Sequence, residues 1–422
     1  MRMLRTTLLE SRDELQVQRT DSNSPLYSVK TFEELALREE LLKAIYKMGF
    51  HRPSKIQETA LPTLMANPAT NMIAQSQSGT GKTATFLLAS LSRLDETLDH
   101  PQVLILSPTF ELARQTAAIA QQMTQFCPGI GVRFAIRGQT LLPGTKIQEQ
   151  IVIGTPGKIL DWALKFRFFD ISKIKVFVLD EADVMLAGGG HHDLSIRIHR
   201  QLPADCQMML FSSTYDEEVV EFANLMVPEP CIKITLKREE QSRGNIEQYV
   251  MHCPDVESKI RALVNIYSSL SVGQAVIFCH TKPGAAQIAR TMMLIGQRAA
   301  ILTGDLEIDE RIRVLGRFRD GLDKVLVTTN VCARGIDIQQ VSLVINFDLP
   351  VDYRGEPDFE TYLHRIGRTG RFGKTGVAIN FVDPNCSRDL LNIDKIQEHF
   401  KRNIKFLDFE DFELLEKIGR QY

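Results

Sequence analysis

Residues 72–84 read Met72-Ile73-Ala74-Gln75-Ser76-Gln77-Ser78-Gly79-Thr80-Gly81-Lys82-Thr83-Ala84. A short apolar run passes into a loop with two glycines, and an apolar helix begins at Ala84. Strand, glycine-bearing loop and helix, in that order, make a phosphate cradle. Backbone N–H groups of the loop and the helix N-terminus face the phosphates. Lys82 adds a point charge at the β/γ end, and the Thr83 hydroxyl reaches Mg2+. The strict pattern asks for glycine at the first position, where Ser76 stands. The bland alternative is a solvated Ser-Gly-Thr-Gly loop. The Lys82-Thr83 pair and the two flanking elements weigh against it.

Outward from this loop, short apolar runs alternate with helical stretches. Strands are expected at 72–75, 103–107, 151–154, 176–180 and 208–212, and in a second series at 275–279, 299–303, 324–328, 342–346 and 377–381. Continuous apolar strands separated by helices of roughly 10–15 residues predict parallel sheets covered on both faces. Between the series lies KREEQSRGN, residues 237–245, with no apolar side chain. The chain therefore reads as α/β, with domains at 31–236 and 246–422 joined by a short linker at 237–245. Residues 1–30 are polar and turn-rich, and are expected to form a flexible arm or a short docking helix. From Thr31 a single apolar-periodic helix is expected through residues 32–50, with Thr31 and Glu34 forming a capping box.

The length of 422 residues agrees with two domains. Fifty basic and 52 acidic residues give a formal net charge of −2. That balance weighs against polybasic coating of nucleic acid, so any nucleic-acid groove must be a local patch. No apolar run reaches the roughly 18 residues needed to span a membrane, and charge returns too early in the first residues for a secretory signal. The seven cysteines are scattered and show no CxxC pair. They read as reduced thiols of cytosol or nucleus. His191-His192 follows three glycines and is expected to be an exposed polar turn rather than a metal site.

Nucleotide chemistry needs an acidic partner at the end of a neighbouring strand. Asp180-Glu181-Ala182-Asp183 follows an apolar run and fits. Asp180 can hold Mg2+, and Glu181 is placed to take a proton from the attacking water. Phosphoryl transfer also needs positive charge in the transition state. His364-Arg365-Ile366-Gly367-Arg368-Thr369-Gly370-Arg371 carries three arginines at three-residue spacing, which would share one helix face. Its alternative is a solvated basic face or an RNA-backbone patch. If it serves a phosphate held by the first half, hydrolysis requires the halves to close.

The strings SQSGTGKT, LDEAD, TTNVCARGID and HRIGRTGR, in this order, resemble the DEAD-box RNA helicases over roughly residues 31–383. The resemblance implies two RecA-like P-loop domains and RNA-stimulated ATP hydrolysis, coupled to strand separation or protein displacement. The segment from Gly49 to Gln57 matches the adenine-reading motif. It implies that Gln57 pairs with the adenine edge and that Phe50 lies near the ring, with Arg52 in the same motif. Ser76, Gln77, Ser78, Gly79, Thr80, Gly81, Lys82 and Thr83 would hold the phosphates. Gly335 and Asp337 would serve the ribose, and Arg368 and Arg371 would be the finger arginines. Ser212 and Thr214, with Asp183 and His364, would couple ATP state to RNA work, His364 bridging to the acidic motif. RNA contacts are implied at Pro108, Thr109, Gly138, Thr155, Pro156, Gly157, Thr281 and Thr329. Short hydroxyl and glycine positions let donors approach phosphates without regard to base.

Three positions depart from the family pattern: Phe110 replaces an arginine, Ser213 an alanine and Ile308 a glutamine. Other strings, including SPLYSVKTFEEL, DEADVM and INFDLPVD, resemble the mRNA-export helicases of the cytoplasmic face of the nuclear pore, a group that includes a germ-cell form. That implies a nucleoporin and an export activator with inositol hexakisphosphate as partners, a monomer, and residence in cytoplasm and nucleus. The group usually carries a longer N-terminal extension with an autoinhibitory helix, and here only about 30 residues precede the first domain. Two rival readings stay open: an ATP-gated RNA clamp with weak or no unwinding, and a DNA motor on the same paired domains. Gln57 and the Asp-Glu-Ala-Asp tetrad favour RNA. The complete set Lys82, Thr83, Asp180, Glu181, Arg368 and Arg371 favours turnover.

Overall fold

The computed structural model describes residues 15–19, 28–76, 80–186, 190–236, 245–270, 272–330, 341–370 and 375–421. The chain divides into two compact units, Met1–Lys237 and Arg238–Tyr422.

In the first unit the strands are β1 (Leu15–Arg19), β2 (Asn71–Gln75), β3 (Val103–Leu106), β4 (Val132–Ala135), β5 (Ile151–Gly154), β6 (Val176–Leu179), β7 (Gln207–Ser212) and β8 (Cys231–Leu236). They form one sheet in the order β1-β8-β2-β7-β6-β3-β5-β4. Every pairing is parallel except β1 with β8. Side chains alternate between the two faces of a strand. In β3, Val103 and Ile105 enter one core while Leu104 and Leu106 enter the other. All four are buried, which is why the run is continuously apolar.

The second unit repeats this plan. Its strands are β9 (Ile246–His252), β10 (Gln274–Phe278), β11 (Ala299–Leu302), β12 (Val325–Thr328), β13 (Val341–Asn346), β14 (Gly376–Val382) and β15 (Lys405–Phe406). The order is β11-β12-β10-β13-β14-β9-β15, all parallel. In β13, Leu343 and Ile345 face one core and Val344 the other.

All ten expected strands are present. The five that the sequence reading missed are β1, β4, β8, β9 and β15. They carry polar residues between apolar ones, as in Cys231-Ile232-Lys233-Ile234-Thr235-Leu236, or are two residues long. β1 also corrects the expectation of an arm or helix for residues 1–30. Leu15 and Val17 alternate with Gln16 and Gln18, a period of two that suits a strand, and the backbone pairs antiparallel with β8. A second correction concerns residues 32–50. The expected single helix is broken into a turn of 3-10 helix at Glu33–Leu35 and an α-helix at Glu39–Lys47. The break is Ala36, at φ 49°, a conformation no helix interior tolerates. Glu34 still accepts from the Lys30 N–H and the Thr31 hydroxyl, and Phe32 is buried in the first core. Thirdly, His191 and His192 open a helix, His191–His199, rather than forming a turn. The His192 ring lies 5.1 Å from that of Phe222.

Candidate functional site

In an open parallel sheet, ligands bind beyond the carboxyl ends of the strands. β2, β7 and β6 are consecutive in the first sheet. Their carboxyl ends lead into Ser76–Thr83, Ser213-Thr214 and Asp180–Asp183. Thus three motifs far apart in sequence become neighbours. The Ser76 N–H donates to the Ser212 carbonyl at 2.9 Å, extending the β2–β7 pairing into the phosphate loop.

Gly81 precedes the helix Lys82–Ser92 at φ 104°. A Cβ there would lie 2.7 Å from Gln57 Nε2, so both backbone angle and space require glycine. Gln57 is fully buried. Its Oε1 accepts from the Ser54 N–H at 2.9 Å, and its Nε2 donates to the Gly81 carbonyl at 3.3 Å. The adenine-motif glutamine is thereby tied to the end of the phosphate loop. Phe50 is half-buried against the first core, and Arg52 is exposed. The hydroxyls of Ser76 and Thr80 hydrogen-bond across the loop. Thr83 lies in the first helical turn and is half-buried. Lys82 is buried, and its Nζ donates to Ser213 Oγ at 3.0 Å.

Asp180, Glu181 and Asp183 are all buried. Burial, reinforced by repulsion from Glu181, pushes the Asp180 carboxyl up to about 7, with Lys82 opposing. Glu181 takes φ 51°, a strained angle for a residue with a side chain. Its Oε2 is buried without a hydrogen-bond partner among the described residues. Two adjacent buried acids, one held partly protonated and one with an orphaned oxygen, fit a divalent cation, which would relieve both costs. Asp183 does different work. Its Oδ2 accepts from the N–H groups of Ser213 and Thr214 at 3.1 Å each and from the Thr214 hydroxyl at 3.2 Å, while its own N–H donates to Ser212 Oγ at 3.3 Å.

The raised Asp180 carboxyl sets a stability test. Well below its ordinary value of 3.8 the group is protonated both folded and unfolded, and costs nothing. As pH rises from its ordinary value near 3.8 to about 7, the folded chain holds the proton that the unfolded chain has lost, so stability falls. Asp180→Asn removes the charge. It should raise the ligand-free melting temperature at pH 8 by a few degrees, with the gain shrinking as pH falls toward 4, as thermal unfolding would read.

The residues implied in RNA contact follow β3, β5 and β4, the other half of the same carboxyl edge. Thr109 caps the helix Phe110–Met123, accepting from the Leu112 N–H at 3.2 Å. Thr155 directly precedes the short helix Pro156–Leu160, which contains Pro156 and Gly157, and makes no side-chain cap bond to it. Gly138 is exposed at φ 90°, with open space where a Cβ would stand. Pro108 is buried. In the second unit, Thr281 follows β10 and caps Lys282–Leu294, accepting from the Gly284 N–H at 3.1 Å. Thr329 follows β12 and is buried.

Arg365 and Arg368 do not share a helix face, which corrects the sequence expectation for these two. The helix Phe359–Ile366 ends before Arg368. Arg365 is fully buried, and its guanidinium donates to Asn346 Oδ1 at 2.9 Å, to the Asp348 carbonyl at 2.7 Å and to Asn330 Oδ1. It also lies 5.0 Å above the Phe278 ring. Arg365 therefore braces the second unit from inside. Arg368 lies in the turn after the helix, its Nε donating to the His364 carbonyl at 2.9 Å. His364 is buried, with Nε2 3.7 Å from Glu360 Oε1. Gln77, Ser78, Gly79, Gly335, Asp337 and Arg371 lie outside the described residues.

The DEAD/DEAH box helicase model matches residues 54–222, and the helicase conserved C-terminal domain matches residues 258–373. The chain belongs to the DEAD/DEAH box helicase family. It is 56% identical over 419 residues to the DEAD-box helicase Dbp80 of Drosophila melanogaster, covering 99% of this chain and 90% of that protein. It is 54% identical over 418 residues to the ATP-dependent RNA helicase DDX19A of Homo sapiens, covering 99% and 87%. Saccharomyces cerevisiae Dbp5 bound to RNA and ADP BeF3 superposes with a TM-score of 0.87 at 43% identity, covering 93% of this chain and 99% of that one. A variant of Dbp5 bound to Nup159, a Gle1 variant, IP6 and ADP gives 0.67 at 40% identity, covering 91% and 98%. The family's fold of two RecA-like domains accounts for both sheets.

Within this DEAD-box helicase the three departures have different surroundings. Phe110 packs its ring against the first core, and Arg114, one turn on, is exposed. Ile308 is half-buried at the start of the helix Ile308–Arg319. Ser213 is the acceptor for Lys82. The sequence marked Ser213 as unusual but carried no signal for its partner.

Among the described residues no helix is long and apolar enough to cross a membrane.

Proposed function

We propose that the chain remodels RNA or ribonucleoprotein in mRNA export, as an ATP-dependent RNA helicase. The observation that carries this reading is the division of one sheet edge. Phosphate and acid motifs follow β2, β7 and β6, and the helices that begin after Thr109 and Thr155 follow β3 and β5. Helix N-termini suit backbone phosphates because their free N–H groups point outward.

Lys82 and the loop N–H groups bind the β/γ end of ATP. Gln57 selects adenine, and Asp337 holds the ribose. Thr83 and Asp180 hold Mg2+, which neutralises phosphate charge when bound. Glu181 takes the proton of the attacking water, and Arg368 and Arg371 supply charge to the transition state. Asp183, with Ser212, Thr214 and His364, relays the nucleotide state. RNA is gripped by phosphate at Thr109, Gly138, Thr155, Gly157, Thr281 and Thr329, so it is bound without sequence preference. The Dbp5 structures with RNA, and with Nup159, Gle1 and IP6, support a nucleoporin and an activator with inositol hexakisphosphate as partners of a monomer that works in cytoplasm and nucleus at the pore.

The test is ATP turnover with and without single-stranded RNA. Stimulation by RNA is expected, and each ligand should tighten the other by the same factor, on the order of 5–150-fold. Turnover indifferent to RNA would refute the reading. RNA affinity should also fall with salt, with a log–log slope of about −0.7 per phosphate contacted. A flat salt response would show that phosphate is not the contact.

A further inference from the structure

We propose that Ser213 is a positioning residue for the phosphate lysine, holding the Lys82 ammonium in place before nucleotide arrives and joining it to the Asp183 knot. This rests on the ATP-binding reading above and deepens it.

Ser213 is buried, and its two ends do separate work. Its side-chain Oγ accepts from Lys82 Nζ at 3.0 Å. Its backbone N–H donates to Asp183 Oδ2 at 3.1 Å, the oxygen that also receives both donors of Thr214. One residue thus touches the phosphate lysine on one side and the coupling carboxylate on the other. The alanine usual at this position could keep the backbone bond and could not make the side-chain bond.

The energetic consequence follows from the lysine. Its ammonium ends a flexible stem with about 2 kcal/mol of rotamer entropy. Lys82 is buried, so the loss of a hydroxyl acceptor is not made good cheaply by solvent. Fixing the head beforehand removes part of the ordering cost from the binding step, which is how preorganisation raises affinity. An ammonium has three donors, so a bond to one hydroxyl is compatible with phosphate contact. The sheet supplies the rigidity. Ser212, at the end of β7, is opposite Gln75 in β2, and the Ser76 N–H is bonded to its carbonyl.

The experiment compares the full chain with Ser213→Ala, using equilibrium binding of ATP, ADP and AMP, thermal unfolding and RNA-stimulated turnover. Lys82 addresses the β/γ end, so the three nucleotides separate positioning from general damage. The expected result is a loss of roughly 3–10-fold in affinity for ATP and ADP, about the net worth of one ordinary hydrogen bond, with AMP binding unchanged. KM for ATP should rise with it. Equal loss for all three nucleotides would make Ser213 merely structural and overturn the proposal, as would unchanged affinity for ATP and ADP. A parent chain that binds ATP but shows no RNA-stimulated turnover would remove the helicase reading. The affinities would still judge Ser213.

Discussion

Glu181→Gln is expected to lower RNA-stimulated ATP turnover by about 10²–10⁴-fold, the usual worth of a positioned general base, while ATP and RNA still bind. Glutamine keeps the volume and one acceptor but cannot carry away a proton. The side chain is buried, its backbone stands at φ 51°, and Oε2 has no partner among the described residues. A carboxylate oxygen left without a hydrogen bond in a buried place is costly to the fold. Spending that stability is intelligible if the oxygen serves a water in the reaction. Phosphate-release kinetics and equilibrium binding together read the outcome. Turnover surviving the substitution would show that another group takes the proton, and loss of ATP binding would make Glu181 a binding residue instead.

Arg365→Ala is expected to destabilise the second unit by about 3–5 kcal/mol, as removal of one partner from a buried charged network does. Burial lowers the guanidinium to about 10, with Asp348 opposing, so it remains charged at neutral pH. Removing it strands the buried side-chain oxygen of Asn346 and takes a donor from the Asp348 carbonyl and from Asn330. It also opens a cavity over Phe278. Arg368→Ala should give the opposite profile. The bond to the His364 carbonyl that it removes is worth about 1 kcal/mol, yet turnover should fall by about 10³-fold or more, as for a finger arginine. Urea unfolding of both full-length variants, beside ATP turnover, separates the roles. If Arg365→Ala unfolds at the parent's urea concentration, the buried network contributes nothing. If Arg368→Ala turns over normally, the charge comes from elsewhere.

The contrast between these two arginines marks how far the sequence could be read. Both occupy one string at three-residue spacing, and spacing alone put them on a single helix face. The helix stops at Ile366, and although both arginines are buried, Arg365 is bound to Asn346 and the Asp348 carbonyl while Arg368, in the turn beyond the helix, is bound to the His364 carbonyl. Helix termination at Gly367 and the pairing of Arg365 with Asn346 depend on where β13 runs, which no local pattern encodes. The same holds at Ala36, where a sequence with sustained helical period is bent by the packing of Phe32 and Leu35 into the first core.

The sequence by itself determined the phosphate loop, the acid tetrad and the ten continuous apolar strands. Each is local: a glycine demanded by the φ of 104° at Gly81, or a strand whose two buried faces leave few polar positions. Only the tertiary structure decided which motifs meet. Lys82 and Ser213 stand 131 positions apart in the chain. They join because β2 and β7 pair in parallel with their carboxyl ends at one edge. Asp183 reaches Ser213 and Thr214 for the same reason. Strand order is fixed by the burial of whole faces over both units, a sum of many weak contacts that no short string carries.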